Sequence, residues 1–545
     1  MRELTRRSLA QTNDRTQFQR ISGLVTQEDV FNSSLTVGET VKFAAALKLS
    51  KGARADRVEE VIRALQLESC RNTYIGDDAN PYLKGVSGGE KRRTAIAVEL
   101  LDPSIRILVL DEPTSGLDAA AAQNVVNVLR SLADTQKMAV LATLHQPRTS
   151  IMGQFESVMV LAGGKMIYSG SRTDFPAYME TELACGMPPY ESPYDVLLDV
   201  LNPAIAEQGN VPTIGKLPEG FDGNVGEELA RIFAASAASS ALLAKAAISA
   251  AGTASAAVDD DTNACNATTW LQQFGVLLER TFIVKARDPI CLMTQISSAV
   301  LMGAIFGALY WDSYDKSTES FAILDTQMCI VMVTLMLVWL PYDVTLTFPV
   351  ERRIFLRERK AGLYPTSAFY VARILADVPA HVVSAIIMGL IVHLMADLAC
   401  DMGGFLLICV AAILVGAAIM QCIGAMAQTF EEANIYMMVI LMMSMMLGTG
   451  FVREVPSWLS WARDISVMGI VADMAMYLEF KDVPDNFDTT TEEIFKEYGV
   501  LIENKQEMWE GAQTLFWIFV VSRILCFIFV KFLFTGRSFW EDLRD

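Results

Sequence analysis

Val86-Ser87-Gly88-Gly89-Glu90-Lys91-Arg92-Arg93 and, 24 residues on from Ser87 to Asp111, Ile107-Leu108-Val109-Leu110-Asp111-Glu112-Pro113 are the stretches that decide the fold. The second is an unbroken aliphatic run closed by two carboxylates and a proline. It reads as a parallel strand buried on both faces, with its acids at the carboxyl end where α/β folds hold ligands. The first opens a helical pattern that runs to residue 101. Two glycines at a helix start let the backbone come close to an anion, and the free N–H groups and positive dipole end face it. Ser87 adds a hydroxyl donor. Standing alone, that segment reads equally well as a serine N-cap with glycines in a turn, and a strand ending in Asp-Glu is a weak signal.

Neighbouring residues supply the context. Ser115-Gly116-Leu117-Asp118 follows the carboxylates, and Asp118 by default is a helix N-cap. His145 follows a second apolar strand over 138–144, where a lone histidine is by default an ordinary polar residue. Gln27 lies upstream in Leu24-Val25-Thr26-Gln27-Glu28-Asp29. In that order these residues resemble the nucleotide-binding domain of ATP-binding cassette transporters, an α/β P-loop NTPase-type fold. Gln27 matches the Q-loop, the 86–93 segment the signature, 107–113 the Walker B strand, 115–118 the D-loop and His145 the switch histidine.

The resemblance implies ATP and Mg²⁺ as cofactors and assigns roles. Asp111 would hold Mg²⁺ through water, with Gln27 sensing the ion and the attacking water. Glu112 would polarise that water, and His145 would contact the γ-phosphate. Ser87, Gly88, Gly89 and Glu90 would face nucleotide, while Asp118 would report one active site to the other across a dimer. The resemblance departs at one place. A phosphate-cradling G-x-x-x-x-G-K-[ST] loop is expected upstream of Gln27, where only 26 residues stand, and none occurs there. Gly164-Lys165 and Gly215-Lys216 come after the signature. The reading favours an N-terminally truncated chain over a natural loss; in the latter case the signature could still complete a partner's site.

Beyond this region the composition changes. The 545 residues are 52% hydrophobic, too long for one domain and too apolar to be wholly soluble. Six apolar stretches of bilayer-crossing length are predicted at about 290–311, 321–346, 367–395, 403–428, 434–452 and 512–535. Arg352, Arg353, Arg357, Arg359 and Lys360 follow the second, and Lys285 and Arg287 precede the first, so these flanks are expected to be cytoplasmic. The segment 271–287 reads as an amphipathic interfacial helix. Residues 453–510 read as an outer loop in which Trp458 and Trp461 anchor at the membrane interface.

The expected organisation is a partial nucleotide-binding domain over 1–200, a low-complexity tether over 201–265 and an all-α six-helix membrane domain over 266–545. ATPase first and spans second resembles the White-type G subfamily of half-transporters. Phe348-Pro349-Val350-Glu351-Arg352-Arg353, Arg357-Glu358, Tyr364 and Pro379 look like that family's cytoplasmic elbow, 193–199 like the close of its nucleotide-binding domain and 456–461 like its outer loop.

What the resemblance implies is ATP-dependent export of a lipophilic or amphipathic small molecule by a homodimer or heterodimer, in a multi-pass protein with a cytoplasmic ATPase domain. The alternative is a silent partner subunit that donates its signature. In the second span Met332, Leu335, Met336 and Trp339 can share one helical face, a pattern consistent with an apolar cavity and equally with a packed or lipid-facing helix. A formal charge of −19 argues against a nucleic-acid partner. The nine cysteines are scattered singly, without metal-ligand spacing, and read as core thiols.

Overall fold

The computed structural model describes residues 18, 21–76, 84–145, 147–185, 192–201, 225–236, 239–240, 268–311, 319–427, 429–448, 456–481 and 490–533. The acidic triplet 259–261, the loop 312–318 and most of the 201–265 tether therefore lie outside the described residues. The chain divides into two compact units, one of 1–29 with 36–267 and one of 30–35 with 268–545.

The first unit is built on a parallel three-stranded sheet, in the order β1 (Ser22–Val25), β2 (Ile107–Leu110), β3 (Ala139–Ala142). Helices α1 (Val37–Lys48), α2 (Arg54–Ala64), α3 (Gly88–Leu100) and α4 (Ala119–Gln136) follow the strands or connect them. Their starts carry local signals. Thr36 with Glu39 and Ser87 with Glu90 form capping boxes, and Asp118 caps α4. The core side is made by Leu108, Leu110, Ile96, Ala97, Val125 and Leu129, all buried.

The expectation that β2 is buried on both faces needs correction. Leu108 and Leu110 are buried while Ile107 and Val109 alternate with them at intermediate burial, and Leu24 and Leu141 are 58% and 57% exposed. Among the described residues helices cover one face of the sheet, so β2 shows the two-residue period of a half-covered strand.

A hairpin, β4 (Ser157–Ala162) and β5 (Lys165–Ser171), turns through Gly163 and Gly164 at φ 56° and 76°. A two-residue turn needing positive φ twice is the place for paired glycines, which is the structural use of Gly164-Lys165. Against β5 pack α5 (Phe175–Thr181) and α7 (Val225–Ala235), with α6 (Pro193–Leu201) on α5, around Tyr168, Phe175, Tyr178, Leu229 and Phe233. Helix α7 lies inside the range read as a tether; Leu229 and Phe233 give it a buried stripe that the surrounding low-complexity composition masked.

The second unit is helical: α8 (Trp270–Ala286), α9 (Pro289–Leu309), α10 (Glu319–Trp339), α11 (Tyr342–Lys360), α12 (Thr366–Met395), α13 (Met402–Met426), α14 (Phe430–Met446), α15 (Val467–Phe480), α16 (Thr491–Tyr498) and α17 (Lys505–Ile528). Among the described residues five stretches are long and apolar enough to cross a bilayer: Leu292–Leu309, Ser320–Thr345, Thr366–Met395, Met402–Met426 and Lys505–Phe532.

The expected span at 434–452 corresponds to α14, whose 17 residues reach about 25 Å against a hydrocarbon thickness of about 30 Å. The stretch expected to be an outer loop contains α15, which is nearly all buried and packs on α10, α13 and α17. A 14-residue apolar helix is too short to signal a span, so the sequence reading passed over it. Trp458 and Trp461 are exposed.

Helix α13 is the hub of the bundle, packing on α10, α11, α12 and α17. Gly416 makes one of these approaches possible, because a Cβ there would lie 2.6 Å from the Val338 carbonyl oxygen. Helix α8 buries Leu277 and Arg280 and exposes Leu271, with Trp270 stacked on Phe274. The seven described cysteines are free, and six of them are buried.

Candidate active site

The parallel register assembles the site. Val25, Leu110 and Ala142 are aligned across the sheet, so the residues just past each strand emerge at one edge. Gln27 leaves β1, Asp111 and Glu112 leave β2, and Thr143 leaves β3.

Their side chains meet there. Gln27 Nε2 donates to Glu112 Oε2 at 2.9 Å. Thr143 Oγ1 donates to Asp111 Oδ1 at 2.8 Å and accepts from the Glu112 amide at 2.8 Å. One hydroxyl thus fixes the carboxylate of Asp111 and the backbone of Glu112 together. The Glu112 backbone has φ 43°, in the left-handed region, a conformation that costs about 1–3 kcal/mol for a side-chain-bearing residue and persists where surrounding bonds hold it. Its carbonyl accepts from Arg92 Nη2 at 3.3 Å, so Glu112 is held at its amide, its carbonyl and its carboxylate.

Two adjacent carboxylates and an amide at an accessible strand end suit Mg²⁺, which keeps several waters and binds one or two carboxylates alongside phosphate oxygens. Among the described residues no group of three or more His, Cys, Asp or Glu could hold a metal by itself.

Ser87 and Glu90 close the start of α3. Glu90 Oε2 accepts from the Ser87 amide at 2.9 Å and from its hydroxyl at 2.8 Å, and Ser87 Oγ accepts from the Glu90 amide at 3.4 Å. Burial raises the Glu90 pKa, but the Ser87 hydrogen bonds and Arg93 outweigh it and hold the carboxyl below its usual range. Beside it Cys70 is pushed up to about 11, by burial first and by Glu90 second.

Gly88 and Gly89 also have a packing role. A Cβ on Gly88 would stand 3.0 Å from Leu117 and one on Gly89 3.1 Å from the Ala121 Cβ, so their smallness lets α3 lie against the start of α4. Asp118 Oδ1 accepts from the Ala121 amide at 2.8 Å, which is the N-cap role.

His145 stands exposed, three residues past β3. Among the described residues no hydrogen bond or ion pair joins it to Asp111 or Glu112. The geometry therefore brings together Gln27, Asp111 and Glu112, sets Ser87 to Glu90 on their own helix start and, among the described residues, joins neither His145 nor Asp118 to them by a hydrogen bond. Sequence reasoning missed Thr143 and Arg92. Both lie within stretches it quoted, but a threonine at a strand end and one arginine in a basic run carry no periodic signal.

Comparison with known proteins bears on the same regions. A family model described as ABC transporter matches residues 2–115, and one described as ABC-2 type transporter matches 272–480. The chain is 28% identical over 479 residues to ABC transporter G family member 14 of Arabidopsis thaliana, covering 85% of this chain and 70% of that protein. It is 28% identical over 491 residues to the broad substrate specificity ATP-binding cassette transporter ABCG2 of Mus musculus, covering 85% and 72%. To ATP-binding cassette sub-family G member 8 of Rattus norvegicus it is 32% identical over 401 residues, covering 69% and 53%. An ATP-binding cassette fold ahead of a bundle of apolar helices, with relatives of one subfamily along most of its length, makes this chain a half-transporter of the ABC transporter G family, an ATPase-coupled membrane transporter.

Proposed function

We propose that the chain exports a lipophilic or amphipathic small molecule as one half of a dimer with a second half-transporter, identical or not, driven by ATP with Mg²⁺. The observation that carries the catalytic reading is the Gln27–Glu112 hydrogen bond beside the Thr143-held Asp111. Bound Mg²⁺·ATP would supply the phosphoryl group and neutralise its developing charge. Of this chain's residues, Glu112 polarises a water, Gln27 orients it, Asp111 holds the ion's hydration shell and His145 approaches the terminal phosphate. Ser87, Gly88, Gly89 and Glu90 present a helix start to nucleotide across the dimer, and Asp118 lies on the path between the two sites.

The lipophilic cargo is supported by two helices. On α10 the residues Met332, Leu335, Met336 and Trp339 are half-buried, whereas Val333, Leu337 and Val338 behind them are fully buried. On α14 Ile435, Met438, Val439, Met442 and Met443 are exposed. Unbranched, polarisable methionine side chains adapt to cargo of varied shape, and one relative carries broad substrate specificity in its name.

A second reading makes the chain a silent subunit that lends its signature segment, Ser87 to Glu90, to a competent half. Glu112→Gln, assayed in vesicles that hold the chain with its second half, separates the two. Loss of hydrolysis by about a hundredfold or more with nucleotide still bound is expected if Glu112 is the water-polarising group. Undiminished hydrolysis assigns the work to the other half.

A further inference from the structure

Arg92 is 3% exposed and lies in the second turn of α3. Its guanidinium meets one small region from four directions. Nη1 donates to the Thr26 carbonyl at 2.6 Å and to Asp29 Oδ1 at 3.2 Å, while Nη2 donates to the Gln27 carbonyl at 2.8 Å and to the Glu112 carbonyl at 3.3 Å. Three of the four acceptors are backbone oxygens, so the contact fixes main chain and not merely charge.

A single nitrogen, Nη2, is shared by Gln27 and Glu112, the two residues whose side chains also meet at 2.9 Å. The separation of that pair is therefore set twice, once through the side chains and once through Arg92. Glu112 needs such support, since its left-handed backbone is fastened by Thr143 at the amide and by Arg92 at the carbonyl. The donor also belongs to the helix that Ser87, Gly88 and Gly89 open.

We propose that Arg92 is a positioning residue that locks the backbone of Gln27 to that of Glu112, so that any movement of the start of α3 is carried to the Gln27–Glu112 pair. The inference rests on Glu112 being the water-polarising carboxylate. It requires arginine, because a planar fork can reach several oxygens at fixed angles whereas a lysine ammonium is a single point.

The test uses Arg92→Lys in vesicles in which the chain and its second half hydrolyse ATP. This change keeps the charge beside the half-buried Asp29 and so avoids leaving that carboxylate alone. The expected result is a fall in kcat of about tenfold or more, with KM for ATP moved less than about twofold and the melting temperature kept. Adding Gln27→Ala is expected to lower kcat no further than either change alone, because both act on one pair. Wild-type kcat in Arg92→Lys, a loss matched by a lower melting temperature, or additive losses in the double variant would each overturn the clamp. Glu112→Gln run alongside separates the layers. If it abolishes hydrolysis while Arg92→Lys does not, the clamp alone fails; if it hydrolyses normally, the underlying reading fails and takes the clamp with it.

Discussion

Thr143 is the residue on which the acidic edge of the sheet depends. Its hydroxyl donates to Asp111 and accepts from the Glu112 amide, so Thr143→Val removes both bonds while keeping the side-chain shape. An unmet amide at a partly buried position costs about 1–3 kcal/mol. Hydrolysis is expected to fall by about tenfold, and Thr143→Ser is expected to restore it; a wild-type rate in the valine variant would show that Glu112 keeps its place without the hydroxyl. Sequence alone marked Asp111, Glu112 and Gln27, because acids at the end of an aliphatic strand and a glutamine in an ordered motif set are visible one-dimensional signals. Thr143 was not legible, since its partners lie 31 and 32 residues away and only the strand register brings them into reach. Cys70 gives a second test at this scale. With its thiol raised to about 11, it is expected to resist a thiolate-directed alkylating reagent at neutral pH and to react only as pH climbs toward that value. Rapid labelling of Cys70 at pH 7 would contradict its burial beside Glu90.

At the scale of elements, the signature segment serves packing as much as ligand approach. The sequence reading gave Gly88 and Gly89 to phosphate, and the structure adds that α3 lies close to the start of α4 where a Cβ on either glycine would make a tight contact. Gly89→Leu is expected to lower stability by about 1–3 kcal/mol through overpacking against Ala121, read as a drop in the melting temperature. Adding Ala121→Gly is expected to return part of it. Absence of any rescue would place the strain elsewhere. Helix α3 was legible, because an N-cap serine and two glycines stand at the start of its helical pattern. The α14–α15 region was not. There α14 gives 17 described residues of the expected 434–452 span, and a buried 14-residue helix, α15, stands where an outer loop was read, too short to declare itself as a membrane segment. Helix α7 escaped for the opposite reason: its buried Leu229 and Phe233 are embedded in a low-complexity stretch.

At the scale of the whole molecule, the order of domains was legible from composition, because a soluble charged half and an apolar half differ over hundreds of residues. The ion pairs that fasten the membrane unit internally were not. Arg280 of α8 and Glu358 of α11 are each 7% exposed and pair in two parallel hydrogen bonds of 2.6 and 2.9 Å, with the Tyr364 hydroxyl donating to the same carboxylate. Burial raises the Glu358 pKa, but Arg280 outweighs it and holds the carboxyl below its usual range. A depressed carboxylate contributes stability that is fully present above its unfolded pKa and is lost as pH falls through the folded value. The membrane unit is therefore expected to lose stability on acidification below about pH 4.5. Glu358→Gln leaves Arg280 as an uncompensated buried charge, and a loss of about 3–5 kcal/mol is expected, measured as earlier thermal unfolding in detergent. Removing both charges with Arg280→Met and Glu358→Leu is expected to recover most of that loss, because well-packed apolar side chains replace a buried pair at little cost. If the double variant is as unstable as Glu358→Gln, the pair contributes directional bonding that apolar packing cannot replace. If Glu358→Gln itself unfolds at the wild-type temperature, the pair does not fasten α8 to α11.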